Sequence, residues 1–323
     1  MICPVCRLYR ILSCRWCIPI FLFIVSAVPA TSAQESDSRA LVISGSPSLL
    51  SLLTAWTEDF RRQQRDVRVR VQSTSDAEAA AALADGAVQI AAMSRAMSPA
   101  ELAAFRTRRG TMPMPTRVAL DAVVVIVNTV NPLQGLTQAQ VDGIFSAQRL
   151  CKGSGEIKVW GQVLPVAIWH TRPIRLFGLG GGMVSASQAV RENLLCGGDF
   201  SPSLSQLPEP RALLEAVRDH ANAIGFLPSP FLAEGVRPVP LAVGAGGQPV
   251  GPEAANIVSG AYPLSRFLYL YMTLSRERLD LPRSFVALAL SQHGQKRAAE
   301  AGFVALPATV ASQEMAKIGS APN

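Results

Sequence analysis

The chain has 323 residues, of which 49% are hydrophobic and 16% charged, and its formal net charge is +7. This length and apolar content suit one large domain or two smaller lobes. The Lys and Arg residues do not form clusters interleaved with aromatic residues, which disfavours nucleic-acid binding, whereas a mildly basic balance is compatible with a small anionic ligand.

The first 33 residues have the order of a secretory signal peptide. Three arginines precede an apolar run at 18–28, and small residues follow up to Ala33. This order predicts an exported, soluble protein that is cleaved after Ala33. The alternative is an uncleaved N-terminal anchor, although the run is short for a membrane span. Cleavage would lower the net charge from +7 to +4, because residues 1–33 contain three arginines and no acid.

Cysteine use agrees with export. Four of the six cysteines form two C-x-x-C pairs within the first 33 residues. These spacings are similar to those of zinc ligands, but the segment leaves no room for a folded finger, so we predict no metal site there. The other two, Cys151 and Cys196, are a candidate disulfide in an oxidising compartment. Two buried free thiols are the alternative.

From residue 40 onward, short apolar strands alternate with helical segments. Strands are predicted at 40–43, 67–71, 88–93, 121–127, 174–177, 223–227, 237–243 and 268–274. Helices are predicted at 49–60, 77–84, 99–108, 137–145, 185–195, 211–220 and 284–290. Strands separated by helices predict an α/β fold with largely parallel sheets.

A hydroxyl-rich turn, Gly45-Ser46-Pro47-Ser48, joins the first strand to the first helix. Backbone N–H groups and the positive end of the helix dipole converge at such a turn, and Ser46 and Ser48 can add hydroxyl donors. Pro47 removes one backbone donor. The turn is a candidate anion site, although serine is also a common N-cap residue that needs no ligand.

Several longer motifs resemble one known family. They are the turn above, M-S-R-A-M-S at 93–98, V-A-L-D-A-V-V-V-I-V-N at 118–128 and Y-P-L-S-R-F-L-Y-L-Y at 262–271. Together they resemble the periplasmic phosphate-binding component of the phosphate ABC transporter. The resemblance covers about residues 40–307.

This resemblance implies a two-lobed Venus-flytrap fold of the type II periplasmic binding proteins, α/β with a mainly parallel sheet in each lobe. Lobe one would comprise 39–126 plus 264–310, lobe two 127–263, and a C-terminal tail 311–323. A small oxyanion would bind in the cleft between the lobes. Both remaining cysteines fall in lobe two, so we predict that they are bonded.

The resemblance also implies four anion-binding elements, of which the turn at 45–48 is the first. The second falls on 73–77, where Asp76 stands in place of the family's serine and Ser75 or Thr74 could substitute for it. A carboxylate repels a dianion unless it accepts a proton from it, and Asp76 as the N-cap of the next helix is the alternative. The third is Ser94-Arg95, in which Arg95 offers a bidentate fork for an oxyanion or, alternatively, a surface ion pair.

The fourth element departs from the family pattern. Leu179, Met183, Val184 and Ser185 stand where the family has Arg, Ser, Gly and Thr. Ser185 and the backbone of glycines 180–182 remain able to bind an anion. We therefore expect weaker phosphate binding than the family implies, and we expect Arg95→Ala to remove most of it.

Two functional classes remain open. One is a periplasmic solute-binding protein that captures phosphate or a related oxyanion for an ABC permease. The other is a divergent member without tight phosphate binding, acting as a sensor or an envelope interaction protein. An enzyme is not expected, because the three histidines have no metal-ligand spacing and the chain lacks a G-x-S-x-G elbow. No cofactor is implied.

Overall fold

The computed structural model describes residues 40–153, 155–244, 246–273 and 280–320. Residues 39–323 form one compact unit. The expected signal peptide, its cleavage site and its four cysteines lie outside the described residues. Within the described ranges, no helix has both the length and the apolar character needed to cross a membrane.

Strands and helices alternate along the described chain, as the sequence predicts. The strands are β1 (Ala40–Gly45), β2 (Arg68–Ser73), β3 (Ile90–Met93), β4 (Met114–Asn128), β5 (Leu136–Thr137), β6 (Arg175–Leu179), β7 (Ser205–Leu207), β8 (Ala223–Pro228), β9 (Val236–Pro238), β10 (Leu241–Ala242) and β11 (Ser265–Met272). The helices are α1 (Leu50–Gln63), α2 (Asp76–Asp85), α3 (Pro99–Arg109), α4 (Gln138–Phe145), α5 (Val184–Leu194), α6 (Pro210–Asp219), α7 (Ala254–Ser259), α8 (Asp280–Leu290), α9 (Gln292–Glu300) and α10 (Ala308–Ser320).

Nine of the described strands form one sheet, in the order β2-β1-β3-β11-β4-β8-β6-β7, with β9 also paired to β4. We call β1, β2, β3 and β11 the first strand group, and β6, β7, β8 and β9 the second. Most strands within each group are parallel, whereas β11 runs antiparallel to β3 and to β4. The fold is therefore mixed α/β, with a mainly parallel arrangement on either side of β4.

The long strand β4 joins the two groups. Residues 114–122 pair with β11, whereas residues 123–127 pair with β8. Every residue from Val118 to Val127 is buried, and all of them except Asp121 are apolar. A strand buried on both faces reads as a continuous apolar run, which is why the sequence predicts this segment so strongly.

The C-terminal segment differs from the expectation of a tail at 311–323. Residues 308–320 form α10, and its inner face is buried through Ala311, Glu314 and Ile318. The Glu314 carboxylate accepts a hydrogen bond of 2.6 Å from Arg117 Nε on β4. The apolar positions recur at helical spacing, and the ion pair neutralises the one buried charge, so the segment packs against the core.

A disulfide joins Cys151 to Cys196, as the sequence predicts. It links the segment after α4 to the residues that follow α5. The neighbouring backbone is also fixed, because Cys151 N–H donates a 2.9 Å hydrogen bond to the buried carboxylate of Asp142. The bond therefore anchors the C-terminal end of α5 to the α4 region.

Removing this disulfide should destabilise the fold. In a Cys151→Ala/Cys196→Ala variant, we expect the free energy of unfolding to fall by about 3–4 kcal/mol, because a 45-residue separation is no longer closed in the unfolded chain. Denaturant unfolding under oxidising conditions measures the change. Reductant should lower the stability of the wild type and leave the double variant unchanged; equal stability of both proteins without reductant would contradict the prediction.

Candidate functional site

Hydroxyl side chains follow the carboxyl ends of three neighbouring parallel strands. Ser46 follows β1, Thr74 and Ser75 follow β2, and Ser94 follows β3. Because β1 pairs in parallel with both β2 and β3, these strand ends lie at the same edge of the sheet. This edge is where α/β folds usually bind their ligands.

The backbone of the turn after β1 packs closely against neighbouring side chains. A Cβ atom on Gly45 would lie 2.5 Å from Leu53 Cδ1 and 3.3 Å from Ala92 Cβ, so a larger residue would push β1 away from α1 and β3. Ser46 N–H donates a 3.0 Å hydrogen bond to the Ala92 carbonyl. Residues Pro47–Leu49 then form a short 3-10 turn that leads directly into α1.

The two serines of this turn are buried but are not used as caps. Ser46 stands at the N-cap position of the 3-10 turn, yet its side chain makes no capping hydrogen bond. Among the described residues, its buried Oγ has no hydrogen-bond partner. Ser48 Oγ donates to the thioether sulfur of Met183, at 3.6 Å. Both hydroxyl groups are therefore available as donors, since neither is committed to a strong acceptor.

Ser94 is the point where most of the polar contacts meet. Its backbone N–H donates to Asp76 Oδ1 at 2.7 Å, and its Oγ lies 2.8 Å from Asp76 Oδ2. The Ser94 and Ser185 hydroxyl oxygens lie 2.8 Å apart, and Arg266 Nη1 lies 3.4 Å from Ser94 Oγ. Because a carboxylate can only accept, Ser94 gives its single hydroxyl proton to Asp76 and accepts from its other two neighbours.

The sequence assigned no role to Arg266, which lies opposite Asp121 between β11 and β4. Arg266 Nε and Nη2 donate to the two Asp121 oxygens at 2.7 and 2.9 Å. The Asp121 side chain is fully buried and that of Arg266 is 12% exposed. Burial alone would lower the pKa of Arg266, but the charge and hydrogen bonds of Asp121 and the charge of Asp76 raise it. The guanidinium therefore stays charged, with Nη1 directed to Ser94.

A signal for this pair is present in the sequence. Asp121 interrupts an otherwise apolar strand motif, Arg266 is the one charged residue of another, and buried charges of opposite sign usually pair with each other. The motifs alone do not give the register that sets the two residues opposite one another.

Arg95 has a different partner from the one the resemblance implies. Its guanidinium binds Glu101 through two hydrogen bonds of 2.7 Å, and Nη1 also donates to the Ala96 carbonyl at 3.0 Å. Glu101 belongs to the capping box of α3, in which it accepts from the Ser98 N–H. The structure thus contains the ion pair that was the alternative interpretation, and within the described part of the chain Arg95 binds Glu101 and Ala96 rather than Ser46, Ser48 or Ser94.

The second element also differs in detail. Ser75, not Asp76, is the N-cap of α2, and it forms a capping box with Glu78. The Ser75 hydroxyl donates to Glu78 Oε2 at 2.8 Å, so its proton is already used. Asp76 occupies the first turn of α2, where it can turn inward and hold Ser94. The expectation that Asp76 caps the helix is therefore wrong.

The fourth element lies against the first. After β6, residues Gly181–Met183 form a 3-10 turn that leads into α5. Met183 is 2% exposed and contacts Ser48, whereas Ser185, in the first turn of α5, contacts Ser94. The second strand group thus contributes one thioether and one hydroxyl to the cluster.

This arrangement is suited to hold a small anion. Hydroxyl donors come from Ser46 and Ser48, and a charged donor comes from Arg266. Hydrogen bonds from a charged group to an oxyanion are the stronger kind. The described residues include no group of three His, Cys, Asp or Glu side chains close enough to hold a metal ion.

Comparisons with known proteins identify the family of the chain. The model of the PBP superfamily domain matches residues 29–292. The chain is 35% identical to the phosphate-binding protein PstS of Pseudomonas aeruginosa, over 91% of each chain. It is 28% identical to protein SphX of Synechococcus elongatus, over 85% of this chain and 80% of the other.

A solved structure shares the fold. The ABC-type phosphate transport receptor from Vibrio cholerae is 21% identical, with a TM-score of 0.66, and the match covers 83% of this chain and all of the other. The chain therefore belongs to the PBP superfamily and to its PstS-type members.

The Arg95–Glu101 pair makes a pH-dependent prediction. Burial alone would raise the pKa of Glu101, but hydrogen bonds from Arg95 and Ser98 and the charge of Arg95 lower it below 4.5. A carboxyl group with a lowered folded pKa stabilises the fold above its unfolded value, and this contribution is lost as the pH falls through the folded value. The wild type should therefore be more stable than Glu101→Gln at neutral pH, and the difference should shrink below pH 4.5.

Denaturant unfolding at several pH values measures this difference. In Arg95→Ala, which removes the partner, the acid-induced loss of stability should begin at a higher pH than in the wild type. Identical pH dependence in the wild type and both variants would show that the pair does not stabilise the fold.

Proposed function

We propose that this chain is a periplasmic solute-binding protein that captures phosphate or a related oxyanion in an interlobe cleft and delivers it to an ABC-type membrane permease. The observation that carries the proposal is the meeting of donors from both strand groups. Ser94 lies within 2.8 Å of Ser185 from the second group, and charged Arg266 lies beside it. A ligand held at this point would contact both groups at once.

We assign two lobes from the two strand groups. Lobe one is built on the first strand group and lobe two on the second, with β4 and the segment before β11 as the crossings. The strand β4 changes its pairing partner after Ala122, which supports a lobe boundary at that point. The sequence predicts the boundary slightly later, at 126/127. Closure of two lobes around a ligand is a common motion in such proteins.

The relatives support the choice of anion. The Pseudomonas aeruginosa relative is named a phosphate-binding protein and the Vibrio cholerae structure a phosphate transport receptor. We place the anion among Ser46, Ser48 and Arg266, beside Ser185. We assign Asp76 the task of orienting Ser94, because both of its oxygens already accept from that residue.

A second candidate function is favoured by one observation. Met183 fills the space in front of Ser48 and supplies no hydrogen-bond donor. A protein with this fold but without tight phosphate binding could act as a sensor or an envelope interaction protein. Direct binding measurements separate the two functions.

Ser46→Ala is the sharpest test of the site. The Ser46 hydroxyl is buried without a partner in the described part of the chain, so its removal should leave the stability unchanged or raise it. If the hydroxyl binds the anion, its loss should weaken phosphate binding by roughly 10- to 100-fold, the worth of one hydrogen bond to a charged group. Titration calorimetry and thermal unfolding measure the two effects.

Arg95→Ala is the matched control. It removes a guanidinium that is committed to Glu101, so it should leave phosphate affinity nearly unchanged. A strong loss of binding in Arg95→Ala, with none in Ser46→Ala, would restore the assignment expected from the sequence and refute the one proposed here.

Export makes a separate prediction. The order of charged, apolar and small residues in 1–33 predicts a mature chain that begins near residue 34. Mass spectrometry of the protein released from the periplasm should give the mass of the shortened chain. An intact N-terminal methionine on the released protein would contradict cleavage.

A further inference from the structure

A pocket of about 500 Å³ lies beside the second strand group, apart from the candidate anion site. Its lining comes from the end of α4, from residues 156–158, from the start of β6 and from the segment before β7. The anion site adjoins the other end of β6, where the turn after Leu179 leads to Met183. A strand rises about 3.3 Å per residue, so roughly 16 Å separates Ile174 from Leu179. The pocket is therefore a separate site, and its volume is in the range of small-molecule sites.

The floor of this pocket is apolar. Ile144 is 3% exposed and Leu176 is 7% exposed. Ile157 and Ile174 are half-buried and pack against the same hydrophobic core. Each methylene group that leaves water for such a surface strengthens binding by roughly fourfold. The floor therefore favours a ligand with a short hydrocarbon body.

The mouth of the pocket carries an unequal set of charges. Among the lining residues that the structure describes, Arg149 and Lys158 are the cations and Glu156 is the one acid. The Glu156 carboxylate lies 3.0 Å from Lys158 Nζ and 3.8 Å from Arg149 Nη1. Because this single carboxylate is closer to Lys158, the positive charge of Arg149 is only partly balanced. A second anionic group would complete the balance.

Arg149 is held at the pocket by its backbone more than by its guanidinium. Its φ is +57°, in the left-handed region, and its N–H donates a 2.9 Å hydrogen bond to Ser146 Oγ in the pocket wall. Within the described residues, the guanidinium makes one long hydrogen bond, of 3.5 Å, to the Ser146 carbonyl. A guanidinium has five N–H donors and can give two parallel hydrogen bonds to a carboxylate. Arg149 therefore has donors to spare for a ligand.

We propose that this pocket binds a small aliphatic monocarboxylate, whose carboxylate pairs with Arg149 while its hydrocarbon body lies against the three isoleucines of the pocket. The ligand supplies the second anion that the mouth lacks and covers the apolar floor. The proposal uses no residue of the candidate anion site, so it stands or falls apart from the proposed function.

Hexanoate is the probe, and isoleucine methyl groups are the reporters. In the mature protein with labelled isoleucine methyl groups, NMR titration should shift the signals of Ile144, Ile157 and Ile174 in a saturable way. The signals of Ile43 and Ile318, which lie outside the pocket lining, should stay in place. Hexanoate should bind at least tenfold more tightly than acetate, which lacks the hydrocarbon body, and at least tenfold more tightly than hexanamide, which lacks the charge.

Two variants that each lose one positive charge test the role of Arg149. Arg149→Gln should weaken hexanoate binding by roughly 10- to 100-fold, the worth of a hydrogen-bonded contact to a charged group. Lys152→Gln is the matched control, because Lys152 is exposed in the same segment but does not line the pocket. It should bind hexanoate as the wild type does. Equal weakening in both variants would contradict a specific contact with Arg149.

The wild-type titrations decide the matter even if a variant fails to fold. The absence of a saturable shift at the three isoleucines would overturn the proposal, and so would equal affinities for hexanoate and acetate. Saturating phosphate should leave hexanoate binding unchanged. Displacement of hexanoate by phosphate would place the carboxylate in the anion site, which would overturn this proposal and leave the proposed function standing.

Discussion

The ion pair between Arg266 and Asp121 is the interaction on which the site depends. It lies between β11 and β4, the two strands through which the two strand groups are connected. Loss of either partner would leave a buried charge uncompensated, at a cost of about 3–5 kcal/mol. The pair also fixes the position of Arg266 Nη1 beside Ser94. The same contact therefore holds two core strands in register and places a guanidinium N–H donor at the edge of the sheet.

The polar groups around Arg266 form a chain of hydrogen-bond donors and acceptors. Asp76 takes the hydroxyl proton of Ser94, which leaves the Ser94 oxygen to accept from Arg266 and Ser185. Each link comes from a different element: the start of α2, the end of β3, the start of β11 and the start of α5. A small displacement of any of these elements would weaken the hydrogen bonds of Ser94, because hydrogen bonds weaken steeply with distance and angle.

Much of the fold could be predicted from the sequence, and less of the site. The sequence predicts the alternation of strands and helices, and the serine directly after β1, because both depend only on the local residue pattern. The role of Arg266 depends on strand register, which motifs alone do not give. The Arg95–Glu101 pair is easier to predict, since S-P-A-E at 98–101 is a capping box that places the Glu101 carboxylate within reach of Arg95. Resemblance to a family favoured a ligand-binding role for Arg95 over that local signal.

The disulfide also sets an order of events. Cys151 and Cys196 can join only where an oxidant is present, so α5 is tethered at its C-terminal end only after the chain reaches such a compartment. Ser185 lies at the other end of that helix and Met183 just before it. For an exported chain, the restraint on the facing side of the cluster is thus a step of maturation that the precursor lacks.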